Sequence, residues 1–207
     1  HHGVLFLDEL PEYKRSALEV MRQPLEDRKI CITRTKMSVE YPASFMLVAA
    51  MNPCPCGNYG DPNRVCTCTP HQVFRYRSKI SGPLLDRIDI HIEVPAVKYD
   101  DLSSLAGGDT SETIKARVNK ARKIQQERYK NEGITSNSQL SASMLEKYCP
   151  LDDDASRLLK SAFDRLGMSA RAHSKILKVA RTIADLDGAD DIKTMHIAEA
   201  IQYRNLD

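Results

Sequence analysis

The segment Gly3–Leu10, with the sequence GVLFLDEL, constrains the fold more than any other part of the chain. A short run of bulky apolar residues that ends abruptly in two acids is typical of a buried strand in a parallel sheet. The carboxyl end of such a strand borders the crevice where open α/β sheets bind their ligands. Adjacent carboxylates there are unfavourable unless a cation or a substrate proton interacts with them. Asp8 and Glu9 are therefore candidate functional residues.

Four apolar residues followed by Asp-Glu match the Walker B pattern of ATPases, in which the Asp holds Mg²⁺ and the Glu polarises the attacking water. The alternative is a strand that runs into an acidic surface turn. A phosphate-binding loop of the form Gly-x-x-x-x-Gly-Lys-Ser/Thr does not occur in the sequence. If the Walker B interpretation holds, we expect the chain to be a fragment of a longer protein and inactive in ATP hydrolysis by itself.

The composition is that of an ordinary soluble globular protein, with 42% hydrophobic and 28% charged residues among 207. A formal net charge of +2 identifies no partner, so any nucleic-acid surface must be local. The sequence has no apolar run long enough to span a membrane and no secretory segment. We therefore expect a cytoplasmic protein without membrane contact.

A β-hairpin is predicted after the first strand. Residues Lys29–Arg34 alternate between apolar and polar, which predicts a half-buried strand, and Val39–Tyr41 returns after a polar turn. Arg34 and Lys36 lie at the tip of this hairpin. Basic residues at a hairpin tip either bind a nucleic-acid backbone or are simply solvated.

A second apolar run, Phe45–Met51, predicts another buried parallel strand that ends at Asn52. An amide at the end of a strand beside Walker B is suited to orient the water that attacks a γ-phosphate. The alternative is an ordinary turn residue before Pro53.

The cysteines are unevenly distributed, with four of the six between positions 54 and 68. They form two closely spaced pairs on either side of a turn-rich loop, which matches a tetrahedral zinc site in number. In a cytosolic protein this density favours a metal over disulfides. We predict that a structural Zn²⁺ site is formed by Cys54, Cys56, Cys66 and Cys68. The alternative is four reduced thiols in a loop. Cys31 and Cys149 are predicted to be buried thiols.

Three further elements are predicted in the first half of the chain. A helix over 13–23 is expected to end at Pro24, and a second helix covers 71–79. Residues Ile88–Val94 alternate between apolar and polar, which predicts a strand near an edge of the sheet. Arg87 directly precedes this strand between two acids, a local pattern typical of an ordinary ion-paired arginine.

The second half of the chain has a different pattern. Residues 98–111 are polar with a glycine pair and predict a linker, whereas 112–207 predict helices throughout. Gly167 is expected to end one helix and Ser169 to begin the next. Arg171 then lies in a first helical turn, where a phosphate would meet both its guanidinium and the positive helix end. The alternative is an exposed first-turn arginine.

Three motifs in this order resemble the magnesium-chelatase-like AAA+ ATPases of bacteria, the ComM/YifB type. They are GVLFLDELPE at 3–12, NPCPCG at 52–57 and SGPLLDRID at 81–89, and the match extends to SAR at 169–171 and KVARTIAD at 178–185. The resemblance covers nearly the whole chain. It implies an α/β part followed by an all-α part: residues 1–97 would be the C-terminal part of an AAA+ core, and 112–207 its helical lid.

The resemblance also assigns roles to single residues. Asp8 would hold Mg²⁺, and Glu9 would be the catalytic acid that acts on bound ATP. Asn52 would be sensor 1, Arg87 the arginine finger offered to the next subunit, and Arg171 the sensor 2 contact to the γ-phosphate. ATP and Mg²⁺ are therefore the implied cofactors of the intact protein.

The intact protein is expected to be a ring-forming, hexameric ATPase that remodels or translocates DNA in recombination or DNA uptake. Residues 30–41 would be the hairpin that faces the central pore in related helicases. One alternative is a motor that remodels a protein partner, as in metal insertion into a tetrapyrrole. Another is a non-catalytic zinc-binding interaction module. Walker B, Asn52 and Arg87 argue against the last, because a binding module needs none of them.

Overall fold

The computed structural model describes residues 1–35, 37–95 and 108–204. Contacts within the chain divide it into two compact units, His1–Ile88 and Asp89–Asp207. Most of the predicted linker at 98–111 lies outside the described residues. The domain limits drawn from the sequence, 1–97 and 112–207, therefore stay predictions.

The first unit contains a parallel and an antiparallel pair of strands. In chain order the strands are β1 (Val4–Leu7), β2 (Lys29–Arg34), β3 (Met37–Pro42) and β4 (Met46–Ala49). β1 and β4 pair in parallel, with Val4 opposite Met46 and Leu7 opposite Ala49. β2 and β3 pair with each other in antiparallel fashion. The expected parallel strands and hairpin are both confirmed.

The parallel pair is more exposed than the sequence predicted. Val4, Phe6 and Met46 are 63%, 57% and 59% exposed, while Leu5 and Leu47 on the other face are partly buried. The prediction of two buried strands was wrong for this chain. Full burial of a parallel strand requires cover on both faces of its sheet, and the described residues cover one face.

Two short helices follow β1. Leu10–Glu12 forms a 3-10 turn, then come α1 (Arg15–Val20) and α2 (Arg22–Asp27). Pro24 was predicted to end a single helix but lies in the first turn of α2. Proline is tolerated there because the first N–H groups of a helix have no intrahelical acceptor. The small core of the unit combines side chains from this region, Leu10 and Leu18, with two from later in the chain, Ile80 and Leu84.

The hairpin of β2 and β3 closes tightly, with Arg34 opposite Met37. Its strands are more exposed than the predicted half-buried ribbon, since Ile32 is 49% exposed. Arg34 is exposed beside the turn. Lys36, its predicted companion at the tip, lies outside the described residues.

Two helices complete the first unit, α3 (Pro70–Arg77) and α4 (Gly82–Leu85). The strand predicted at Ile88–Val94 is not formed. Residues 88–95 have no strand conformation, and the N–H of His91 donates to the carbonyl of Tyr203 at 2.7 Å. Alternation of apolar and polar residues describes one face of a strand but supplies no neighbouring edge for its backbone to pair with.

The second unit is helical in its described part. Its helices are α5 (Ser111–Arg128), α6 (Ala142–Tyr148), α7 (Asp153–Leu166), α8 (Ala170–Asp187) and α9 (Thr194–Gln202). Gly167 ends α7 with a φ of 57°, and the Ser169 side chain caps α8, as predicted. The fold class of an α/β part followed by an all-α part is confirmed. Among the described helices, none combines the length and apolar character that crossing a bilayer demands.

A buried carboxylate joins the helices of the second unit. Asp185 is fully buried on α8 and accepts hydrogen bonds from Arg181 Nε at 3.1 Å and Arg128 Nη1 at 3.0 Å. Its Oδ2 atom also accepts from Asn137 Nδ2 at 2.8 Å, and Tyr129 donates to Asn137 at 2.6 Å. The network connects α5, α8 and the 3-10 turn at Asn137–Gln139.

Replacement of Asp185 by Ala should lower the free energy of unfolding of the helical unit by about 3–5 kcal/mol. The reason is that the buried guanidinium of Arg181 loses its counter-charge. Urea denaturation followed by circular dichroism measures the change. The matched control is Asp154→Ala, which removes the exposed ion pair with Arg157 and should alter stability little. Equal effects of the two substitutions would contradict the role of the network.

Candidate functional site

The parallel pairing brings three predicted site residues to one edge of the sheet. Asp8 and Glu9 directly follow β1, and Asn52 comes shortly after β4. The two backbone segments stay adjacent just beyond the strands, because the Ala50 N–H donates to the Leu7 carbonyl at 2.9 Å. Carboxyl ends of neighbouring parallel strands are where ligands bind in open α/β sheets.

Glu9 has an unusual backbone conformation at this edge. Its φ of 49° and ψ of 47° lie in the left-handed region, which costs about 1–2 kcal/mol for a residue other than glycine. The Glu9 N–H donates to Asp8 Oδ1 at 2.9 Å, and the Glu9 carbonyl accepts from the Glu12 N–H at 2.8 Å. The sharp turn leaves both adjacent acidic side chains exposed to solvent.

Tyr76 on α3 is a residue at this edge that sequence reasoning missed. The backbone N–H of Asn52 donates to its hydroxyl, and burial together with the charges of Glu12 and Glu9 raises the pKa of Tyr76. Lys79 Nζ lies 3.3 Å from Glu12 Oε1 and 5.6 Å from the centre of the Tyr76 ring. A tyrosine at helical spacing resembles any core residue, so no sequence signal could have identified it.

Arg87 is held inside the first unit. It forms an ion pair with Glu26 and donates from Nη1 to the Pro83 carbonyl at 2.7 Å. Its side chain is 12% exposed. Glu26 lies 61 positions away in sequence, so the local pattern of flanking acids did not indicate this partner.

Arg171 lies in the first turn of α8, as predicted, and is exposed. The Ala172 N–H of the same turn donates to the Ser169 side chain at 3.2 Å. An N-terminal helical turn with an exposed guanidinium is suited to an anion. Arg171 belongs to the second unit, whereas Asp8, Glu9 and Asn52 belong to the first.

The four clustered cysteines converge in space. Their sulfur atoms all lie within 4.8 Å of one another, although the residues are spread over the loop between β4 and α3. The Sγ–Sγ distance is 3.4 Å from Cys54 to Cys56, and from Cys66 it is 3.7 Å to Cys54 and 3.6 Å to Cys56. Hydrogen bonds from backbone N–H groups lower the pKa of Cys56 to about 5, whereas burial raises the pKa of Cys68 to about 12. Cys56 and Cys68 therefore differ as free thiols.

The remaining two cysteines lie elsewhere. Cys149 is buried, as predicted, and burial raises its pKa to about 11. Cys31 was predicted to be buried but is exposed on β2, with Sγ 3.7 Å from Glu40 Oε2. The prediction failed because the hairpin packs less of its surface than its alternating pattern suggests.

Two family profiles match nearly the whole chain. Residues 1–102 match the profile described as magnesium chelatase, subunit ChlI, and residues 108–204 match the profile of its C-terminal part. The chain belongs to the magnesium-chelatase-like AAA+ family. The resemblance inferred from the motifs is thereby confirmed, and the C-terminal profile fits a helical lid that follows an AAA+ core.

Relatives of this magnesium-chelatase-like chain include longer bacterial proteins. An uncharacterized protein YifB of Salmonella typhimurium is 45% identical over 100% of the chain, which covers 40% of that relative. The competence protein ComM of Haemophilus influenzae is also 45% identical, over 98% of the chain and 39% of the relative. The YifB protein of Escherichia coli is 44% identical over the same share as the Salmonella protein. The chain spans about two fifths of the length of these curated relatives.

The sheet edge of this family member carries two carboxylates and an amide just beyond the ends of two adjacent strands. Carboxylate oxygens are the protein ligands that Mg²⁺ prefers, usually together with waters and phosphate oxygens. An amide and a carboxylate can both orient a water by hydrogen bonding. The residues present therefore fit a magnesium-bound phosphate ligand.

Proposed function

We propose that this chain supplies the hydrolytic half of a nucleotide site in an AAA+ ATPase. The observation that carries the proposal is the parallel pairing of β1 with β4, which places Asp8, Glu9 and Asn52 along one edge. In this proposal Asp8 holds Mg²⁺ with ATP, Glu9 polarises the attacking water and Asn52 orients it. The cofactors are then ATP and Mg²⁺ in the intact protein.

Two arginines outside the sheet edge have further proposed roles in ATP hydrolysis. Arg87 would act as an arginine finger on the nucleotide of a neighbouring subunit in a ring, most simply a hexamer. Because Arg87 pairs with Glu26 inside its own unit, this role requires the ion pair to open when subunits assemble. Arg171 would contact the γ-phosphate as sensor 2, which suits its exposed place in the first turn of α8.

DNA is the substrate that we propose for the intact motor. One relative is named a competence protein, which agrees with a role in DNA uptake or recombination. The hairpin presents the exposed Arg34 next to its turn, where a phosphate backbone could be bound. Exposed basic side chains also occur on α5, namely Lys115, Lys120, Arg122 and Lys123.

A protein substrate is the second candidate, because both family profiles carry the name of magnesium chelatase. Such a motor would remodel a protein partner instead of moving along DNA. The two candidates differ in one measurable property. Binding to DNA phosphates releases counterions and weakens steeply with salt, whereas binding to a protein need not do so. The salt dependence of DNA-stimulated ATPase activity in the intact protein therefore separates them.

Replacement of Glu9 by Gln in the intact protein should abolish ATP hydrolysis and retain ATP binding. Gln preserves the size of the side chain but is a much weaker base toward water, while the Mg²⁺ ligand Asp8 is untouched. Nucleotide affinity is measured by titration with a fluorescent ATP analogue, and hydrolysis by phosphate release. Glu127→Gln, which changes an exposed acid on α5, serves as the matched control. Hydrolysis by Glu9→Gln at the rate of the control would exclude the role.

Arg87→Ala subunits should regain activity when they are mixed with subunits that lack a functional phosphate-binding loop. Where a loop-deficient subunit offers its Arg87 to the pocket of an Arg87→Ala subunit, that interface has both an intact finger and an intact nucleotide pocket, and arginine fingers contribute about 10³–10⁵ in rate. ATPase activity is measured across mixing ratios. Glu26→Gln is the companion variant, because it removes the ion pair and keeps Arg87. If mixtures are no more active than either parent, Arg87 is a structural partner of Glu26.

Neutralisation of Arg34 and Lys36 together should weaken DNA binding by the intact protein. The slope of log affinity against log salt should become shallower by roughly one unit for each DNA phosphate that is no longer neutralised. Fluorescence anisotropy with labelled DNA at several salt concentrations measures both quantities. The control makes the same change in net charge on exposed residues of α7, Arg157→Ala with Lys160→Ala. An unchanged slope would mean that the basic residues of the hairpin are simply solvated, and it would favour a protein substrate.

A further inference from the structure

The geometry of the cysteine cluster matches a specific coordination polyhedron. Four sulfur atoms bound to one ion at about 2.3 Å in a tetrahedron are about 3.8 Å apart. The sulfur–sulfur distances of Cys54, Cys56 and Cys66 are 3.4, 3.7 and 3.6 Å, close to that value. A disulfide would require a separation of about 2.05 Å, and all four residues are free cysteines. The spacing is that of ligands around an ion.

The backbone of the loop is arranged around the sulfur atoms. The N–H groups of Asn58 and Thr67 donate to Cys56, and that of Cys68 donates to Cys66. The turn Cys54–Gly57 closes with a hydrogen bond of 3.0 Å from the Gly57 N–H to the Cys54 carbonyl, and Gly57 has a φ of 80°. This turn places Cys54 and Cys56 side by side.

We propose that Cys54, Cys56, Cys66 and Cys68 bind one Zn²⁺ ion in a closed tetrahedral site. All four sulfur atoms lie within 4.8 Å of one another, as expected for ligands that share one ion. Thiolate ligands in this geometry select zinc or iron among the common biological metals. Zn²⁺ is the usual ion of closed structural Cys₄ sites. All four positions are taken by protein sulfur, so no water is left for catalysis and the ion is structural.

The ion would also brace the edge of the sheet. The loop that it closes connects Asn52 to α3, and Arg77 on α3 donates to the Pro53 carbonyl at 3.0 Å. The Arg77 guanidinium lies 5.0 Å from the centre of the Tyr59 ring inside the loop. Removal of the ion would free the loop and loosen the hydrogen bond between Asn52 and Tyr76. This second role rests on the function proposed above, whereas zinc binding does not.

Metal analysis of the intact protein, purified without chelators, tests the site directly. Inductively coupled plasma mass spectrometry should find about one zinc per chain and no comparable iron. Cys54→Ser and Cys66→Ser should lose most of this zinc. Cys31→Ser, which removes an exposed thiol far from the cluster, should keep all of it. Full zinc retention in the Cys54 and Cys66 variants, or iron in place of zinc in the unaltered protein, would overturn the proposal.

Cobalt substitution tests the same site without any variant, in case a serine substitution prevents folding. Protein refolded with Co²⁺ should show the intense visible and near-ultraviolet bands of tetrahedral cobalt–thiolate coordination, and Zn²⁺ should displace them. Mass spectrometry of the metal-free protein counts disulfides independently. Wild-type protein with neither zinc nor cobalt bands, or with the four cysteines joined in disulfides, would overturn the site. None of these readouts depends on ATP hydrolysis, so failure of the zinc site and failure of the proposed ATPase are distinguishable.

Discussion

The parallel pairing of β1 with β4 is the constraint on which the first unit depends. Parallel strands cannot be joined by a tight turn, so the chain between them must make a long crossover. In this molecule the crossover contains α1, α2 and the hairpin of β2 and β3. The same pairing makes both strands end at one edge. The parallel pairing therefore accounts both for the long connection between the two strands and for the presence of Asp8, Glu9 and Asn52 at one edge.

Sequence reasoning succeeded where the determinants are local. The caps at Gly167 and Ser169 depend on residues within a few positions of one another. It failed where distant parts of the chain decide the outcome. The alternating pattern of Ile88–Val94 could not show that this segment pairs with no strand among the described residues. Likewise, the ion-pair partner of Arg87, Glu26, lies 61 positions away in sequence. Burial of β1 was overestimated because apolar content describes a strand and not the surfaces that cover it.

Charge has different functions in the two units. In the helical unit, Asp185 and Arg181 are fully enclosed and joined to Asn137, so their part of the KVARTIAD motif has a structural explanation. At the sheet edge, Asp8 and Glu9 are adjacent, exposed and available to a ligand. A family motif thus contains residues of both kinds. Burial and hydrogen-bond partners distinguish them, whereas their spacing in the sequence does not.

The left-handed backbone of Glu9 and the chemistry proposed for the site make different demands on position 9. The turn favours glycine, asparagine or aspartate, which adopt positive φ with the least strain. The chemistry proposed for the site favours a carboxylate on a longer side chain. In a library that randomises position 9, the amino acids with the highest yield of folded protein should therefore differ from those with the highest turnover. Disagreement between the two rankings measures how far a functional demand has displaced this residue from its conformational optimum.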